Sequence, residues 1–215
     1  MKVLFYKVKM VKNIIFDWSG VINNNTDDFI QVISNMFKAN GGRKITRREL
    51  RQKWTQPYMK FYNLYFPKWS LTEQRKHYLN SIHKFKQRKI FPGMRTLLYQ
   101  LKREEYKLYV LSGDLPRFFR KEMKEYGLEK VFDKIILDLH DKTDDLIQLI
   151  KDEKLKLNET VFIGDTVHEI ECAKAANIKS IAVSWGMNTP SILKTAQPTY
   201  LVHSTKELKK IIFIS

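Results

Sequence analysis

The stretch Val161–Val183, VFIGDTVHEIECAKAANIKSIAV, decides how the rest of the chain reads. An apolar run breaks at Gly164-Asp165-Thr166, an alanine-rich segment of helical period follows, and a second apolar run begins near Lys179. Strand, polar turn, helix and strand in that order form a crossover unit, the connection that parallel strands require. The polar residues fall at the carboxyl end of the first strand, where open α/β sheets bind their ligands.

The same alternation extends outward in both directions. Upstream, Phe91-Pro-Gly-Met opens an amphipathic helix to about Glu105, and KLYVLSGD (107–114) reads as a short strand ending in a polar turn. Pro116 to Tyr126 is helical and stops at Gly127, FDKIIL (132–137) is strand-like, and Asp144 to Lys154 is helical. Downstream, TYLVHS (199–204) leads into a last helix from Thr205, with Ser204 and Glu207 spaced as a capping box. This pattern predicts an α/β fold, a Rossmann-like doubly wound parallel sheet with helices on both faces.

Residues 23–90 interrupt it. No strong strand signal occurs there, and Phe29, Val32/Ile33 and Met36/Phe37 form a helical stripe ended by Asn40-Gly-Gly. Thr46-x-x-Glu49 and Ser70-x-x-Glu73 are spaced as capping boxes, and Leu71, Tyr78, Ile82 and Phe85 continue an apolar stripe. The expected organisation is an α/β core of residues 1–22 and 90–215 with an α-helical unit, 23–89, inserted in it. Met10 is a candidate functional start, with residues 1–9 an extension or an extra edge strand.

The formal net charge is +16, and fifteen Lys/Arg against four acidic residues lie between Asn23 and Ile90, together with eleven aromatics. Basic plus aromatic composition suits small anions or nucleic acid, but a solvated helical face is the commoner meaning. A single cysteine, Cys172, excludes an internal disulfide framework and a cysteine-built zinc site. No apolar run is long enough to cross a membrane, and the N-terminus lacks a secretory pattern, so a cytoplasmic protein is expected. Oligomeric state is not readable.

Three strand ends carry the groups that phosphoryl transfer needs. The first is Asp17 in IIFDWSGVI (14–22). The second is Ser112 with Gly113, at the entry to a helix whose free N–H groups suit an anion. The third is Asp165 with Thr166, and Glu169 lies four residues on, on the same helical face. Lys142 precedes the helix that leads into the third strand. Alone, each has a plain structural reading: an N-cap, a turn, a surface lysine.

Together, in this order, they resemble the haloacid dehalogenase superfamily of phosphatases and related hydrolases, on the phosphoglycolate-phosphatase-like branch. IIFDWSGVI is similar to the first motif, YVLSGD to the second, Lys142 to the third and Val161–Val183 to the fourth; the helical insert sits where that family places its cap. The resemblance implies an aspartyl-phosphate formed on Asp17 and a Mg2+ held by Asp17, the Ser19 carbonyl and Asp165. Ser112, Gly113 and Lys142 would hold the phosphoryl oxygens, Glu169 would orient Lys142 or a metal-bound water, and Thr166 would support Asp165 or cap its helix. The implied partner is a small anionic phosphorylated substrate.

Ser19 departs from the family pattern, whose phosphatases carry a second aspartate there as general acid and base. A serine keeps the carbonyl and lacks the acid, a loss of roughly 10²–10⁴ in rate. A substrate with a good leaving group, or an acid from the insert such as His77 or His83, would compensate. The alternatives are a phosphonoacetaldehyde-hydrolase-like enzyme using Lys53 or Lys60 as a Schiff base, a dehalogenase, or a weakened protein binding phosphorylated or nucleic-acid partners. His77 and His83 otherwise read as bystanders, Cys172 as a packed thiol, Asp114 as an N-cap, and Trp18 as a side chain separating core from cap.

Overall fold

The computed structural model describes residues 11–82 and 89–214; the expectations for residues 1–9, His83 and Phe85 lie outside them. The sheet has six parallel strands: β1 (Asn13–Phe16), β4 (Lys107–Leu111), β5 (Lys134–Ile136), β6 (Thr160–Gly164), β7 (Lys179–Val183) and β8 (Tyr200–Val202). Their spatial order is β5-β4-β1-β6-β7-β8. The order reverses between β1 and β6, so the topological switch point lies at the ends of these two strands.

Residue alternation along the strands explains why the sheet is covered twice. Ile14 and Phe16 of β1 join a core cluster with Leu108, Val110, Val161 and Ile163. That face packs on α5 (Met94–Arg103), α6 (Pro116–Tyr126) and α10 (Thr205–Ile214) through Leu98, Phe119 and Leu208. Ile15, Tyr109, Leu111 and Phe162 point the other way, onto Leu146 and Leu149 of α7 (Thr143–Asp152) and Ala173 of α8 (Val167–Ala175). The small Ala173 and Ala176 let α8 lie close to the sheet. Burying each large apolar side chain contributes roughly 1.5–3 kcal/mol, which favours one register.

Register places the polar residues. Phe16 pairs with Val110 on one side and with Ile163 on the other. Position 17 is therefore level with 111 and 164, and Ser112 and Asp165 fall one residue beyond it. All three strand-end groups open on the same edge.

Between β1 and β4 the chain forms α1 (Thr26–Ala39), α2 (Arg47–Lys53), α3 (Tyr58–Asn63) and α4 (Leu71–Ser81). Ile33, Met36, Phe37, Leu50, Trp54 and Phe61 build an apolar cluster separate from the sheet's own. Strand signal was weak throughout this segment, yet β2 (Asn23–Asn24) and β3 (Lys89–Ile90) pair antiparallel where the chain leaves and returns. Asn and Lys have poor strand propensity, so the pairing comes from the meeting of the two ends. The Ser70–Glu73 capping box forms in full. At Thr46 half of it forms: the hydroxyl accepts from the Glu49 amide, but the Glu49 carboxylate turns to Arg43, Lys53 and Tyr65.

Trp18 does not separate the two parts. It is fully buried, donates from Nε1 to Glu122 Oε2 at 2.6 Å, and packs on Phe119 and Tyr126 of α6. Among the described residues, no helix is long and apolar enough to cross a membrane.

Candidate active site

Asp17 leaves β1 with its amide still bonded to the Ile163 carbonyl at 2.9 Å, so the sheet's ladder fixes its backbone. Lys142, the N-cap residue of α7, reaches in from the next layer. Its Nζ lies 2.9 Å from Asp17 Oδ1 and 2.7 Å from Glu169 Oε1, and all three side chains are buried. The other oxygen of Glu169 accepts from the Thr166 amide at 3.0 Å and from its hydroxyl, completing a capping box at the start of α8. Glu169 thus anchors Lys142 with one oxygen and caps its own helix with the other.

Asp165 takes its order from a loop the sequence did not single out. Its Oδ2 accepts from the Met187 amide at 2.6 Å, and its carbonyl accepts from the Asn188 amide at 3.0 Å. A Cβ on Gly20 or on Gly186 would run into the Asp165 carboxylate. Both positions keep space open beside that group, and Gly20, at φ +78°, is also in a left-handed conformation that glycine adopts most readily.

The charges do not balance. Asp17, Asp165 and Glu169 bring carboxylate oxygens within 4.8 Å of one another, against the one ammonium of Lys142. Burial pushes the Asp17 carboxyl up to about 7, although Lys142 pulls the other way. Burial, and then the charges of Asp17 and Glu169, push Asp165 well above the usual carboxylate range. Burial also works against Glu169 and Lys142, but Lys142 holds the glutamate ionised, and Asp17 with Glu169 hold the ammonium charged. Hard carboxylate oxygens, a shortage of positive charge and space kept by two glycines fit Mg2+; Asp17 and Asp165 are the residues that would hold it.

Ser112 Oγ donates to Asp114 Oδ2 at 2.8 Å, and Ser19 Oγ donates to the same oxygen at 2.6 Å. Asn25 Nδ2 donates to Ser19 Oγ at 2.7 Å. Asp114 is therefore not an N-cap: that position belongs to Leu115, which makes no side-chain capping bond. Its carboxylate instead stands against the serine that replaces one. A polar residue two places after Ser112 at a strand end was the available signal.

The insert covers this edge. Asn188 Nδ2 donates to the carbonyls of Arg51 and Trp54, Arg51 Nε donates to the Met187 carbonyl at 2.8 Å, and Arg75 pairs with Asp138 at 2.7 Å. Between insert and core lies a cavity of about 130 Å³, bounded by Asp17, Ser112, Gly113, Lys142 and Asp165 below and by insert side chains above. Lys53 and Lys60 are exposed, Lys53 is engaged with Glu49, and neither borders the cavity. His77 stacks on Trp69, 4.4 Å between ring centroids, away from it. Cys172 is buried and its thiol is pushed up to about 12 by that burial, as befits a packed side chain.

Residues 14–183 match the family profile of the haloacid dehalogenase-like hydrolases. A pyrophosphatase PpaX of Halalkalibacterium halodurans is 21% identical over 94% of this chain and 97% of its own. A phosphoglycolate phosphatase of Synechococcus elongatus is 26% identical over 57% of this chain and 59% of its own. Among solved structures, a predicted phosphatase from Clostridium acetobutylicum superposes with a TM-score of 0.81 at 20% identity, covering 94% of this chain and 98% of that one.

Proposed function

The chain belongs to the haloacid dehalogenase-like hydrolases, and from that premise we propose that it is a Mg2+-dependent phosphatase of small phosphorylated metabolites, with residues 23–89 serving as its cap. The observation that carries the reading is the buried cluster at the switch point: Lys142 Nζ held between Asp17 and Glu169, with the Asp165 carboxylate beside them. A protein that merely bound phosphate would have no use for three buried carboxylates there, since they repel the ligand. The names of its relatives point the same way.

In this reading Asp17 attacks phosphorus with one carboxylate oxygen. The bond to the leaving oxygen breaks, that oxygen departs with the electron pair, and an aspartyl-phosphate remains. Lys142, Ser112 and the Gly113 amide hold the phosphoryl oxygens as charge moves onto them. A bound Mg2+ would neutralise the same oxygens and offset the Asp17 and Asp165 charges. Water then cleaves the phosphorus–oxygen bond and releases phosphate. Ser19 provides no acid for the leaving oxygen, so esters whose leaving group departs without a proton react fastest.

The test is a rapid acid quench after mixing with a ³²P-labelled aryl phosphate and Mg2+. Label on the protein that hydroxylamine removes, and that disappears in Asp17→Asn along with turnover, is the expected result. Steady turnover by Asp17→Asn would overturn the assignment.

A further inference from the structure

One turn of α8 holds Lys142 at both of its ends. Glu169 Oε1 takes the ammonium at 2.7 Å. One residue earlier, His168 takes the backbone: its Nε2 accepts from the Lys142 amide at 3.3 Å. Successive helical residues point about 100° apart, so the two grips come from different directions. His168, Glu169 and Lys142 are all buried.

The second grip falls where the chain has few other ties. After β5, the Asp138 and Leu139 amides donate to the Asp114 and Ser112 carbonyls at 3.1 and 3.3 Å. Helix α7 begins at Thr143, and Lys142 is an N-cap whose own side chain makes no capping bond. Between those anchors and the helix, the Lys142 amide finds its acceptor on α8. A ring nitrogen that accepts an N–H is unprotonated, so the neutral imidazole carries its proton on Nδ1. Burial favours that neutral form and outweighs the pull of the Glu169, Asp141 and Glu171 carboxylates. The Cys172 thiol lies 3.4 Å from Nε2, Asp141 Oδ1 lies 3.5 Å from it, and the Thr143 hydroxyl is 3.3 Å from the thiol. These contacts keep the ring against the start of α7.

From this we propose that His168 is a positioning residue for Lys142, fixing the backbone end of that long side chain so that its ammonium stays aimed at Asp17. Lysine is a compact charge on a flexible four-carbon stem. Glu169 alone would fix the tip and leave the stem's origin free to shift. With both ends fixed, the charge is in place before the phosphoryl group arrives and needs no rearrangement as the reaction proceeds. The inference rests on the phosphatase reading where it concerns the phosphoryl oxygens.

The test compares three substitutions. His168→Gln can bring its amide oxygen to the place of Nε2, His168→Asn is polar but one methylene shorter, and His168→Met has the reach without a comparable acceptor. Each is measured for hydrogen exchange at the Lys142 amide, for inorganic phosphate affinity by calorimetry with Mg2+, and for kcat on an aryl phosphate. Urea denaturation records stability alongside. His168→Gln is expected to keep the amide protected and to stay near wild type in phosphate affinity and kcat. His168→Asn and His168→Met are expected to unprotect the amide and to lower phosphate affinity and kcat ~10-fold, the size of one well-made hydrogen bond. Wild-type affinity and kcat in His168→Asn and His168→Met, or a His168→Gln protein no better than those two, would overturn the proposal. If the unsubstituted protein neither binds phosphate nor turns over any ester, the phosphatase reading falls, and the ¹⁵Nζ resonance of Lys142 decides this inference by itself. A resonance displaced in His168→Asn and His168→Met but unmoved in His168→Gln supports the positioning role; one that stays put in all three rules it out.

Discussion

The Ser19 hydroxyl spends its proton on Asp114 Oδ2 and accepts one from Asn25, so the side chain is tied on both sides. Restoring the family's acid by Ser19→Asp would therefore set a second carboxylate against the first. Like charges at that distance repel and distort the turn that carries Asp17. Ser19→Asp alone is expected to leave kcat/KM on an alkyl phosphate unchanged or lower. Ser19→Asp with Asp114→Asn should raise it by about 10²-fold, the lower end of what a positioned acid contributes. The four proteins form a double-mutant cycle, and additive effects on kcat/KM would disprove the coupling. The same contact shows what was legible at this scale. Asp17, Ser112 and Asp165 stood out as chemistry-bearing residues at strand ends, and Lys142 as a lysine at the entry to the helix before the third of them. Asp114 read as an N-cap because Leu-Pro follows it, and of its two serine donors one, Ser19, lies 95 residues away in the chain.

Among the elements, the loop between β7 and α9 (Pro190–Thr195) does more than connect. Asn188 is fully buried, accepts from the Val167 amide and donates to the carbonyls of Arg51 and Trp54. The neighbouring Met187 amide bonds the Asp165 carboxylate, and the Asn188 amide bonds the Asp165 carbonyl. Asn188→Ala removes all three side-chain bonds and leaves buried or half-buried backbone partners on two helices unpaired. The expected loss is about 2–3 kcal/mol in urea denaturation, with Mg2+ affinity, read by calorimetry, weakened at least several-fold. Unchanged Mg2+ affinity in a protein that is destabilised would show that the loop does not position Asp165. Local signals located the elements well, because helical stripes, Gly127 and the Ser70 box act within a few residues. The β2–β3 pair and the Asn188 hub escaped them, since each depends on segments brought together only by the complete fold.

At the scale of the whole molecule the charge is the feature left to explain. Lys38, Arg43, Lys44, Arg47, Arg48, Lys53, Lys60, Lys68, Arg75 and Lys76 are all exposed on the insert, and the chain's net charge is +16. A few are paired, such as Arg43 with Glu49 and Arg47 with Asp27, but exposed pairs of this kind contribute little to stability. Together they give the insert, which covers the cavity, a positive field that would draw in an anionic ester. Such a field speeds encounter and is screened by salt, the Debye length shrinking from about 30 Å at 0.01 M to about 8 Å at 0.15 M. Over that range kcat/KM for a dianionic phosphate ester should fall ~10-fold, the low end of what electrostatic steering contributes, while kcat stays constant. Replacing Lys44, Arg48 and Lys76 by glutamine should flatten the salt dependence without changing kcat, because none of the three borders the cavity. A salt dependence that appears in kcat, or that survives the triple substitution, would place its origin at the buried Lys142–Asp17–Glu169 cluster, where screening by mobile ions is weak, and would remove the insert's surface from the account of substrate capture.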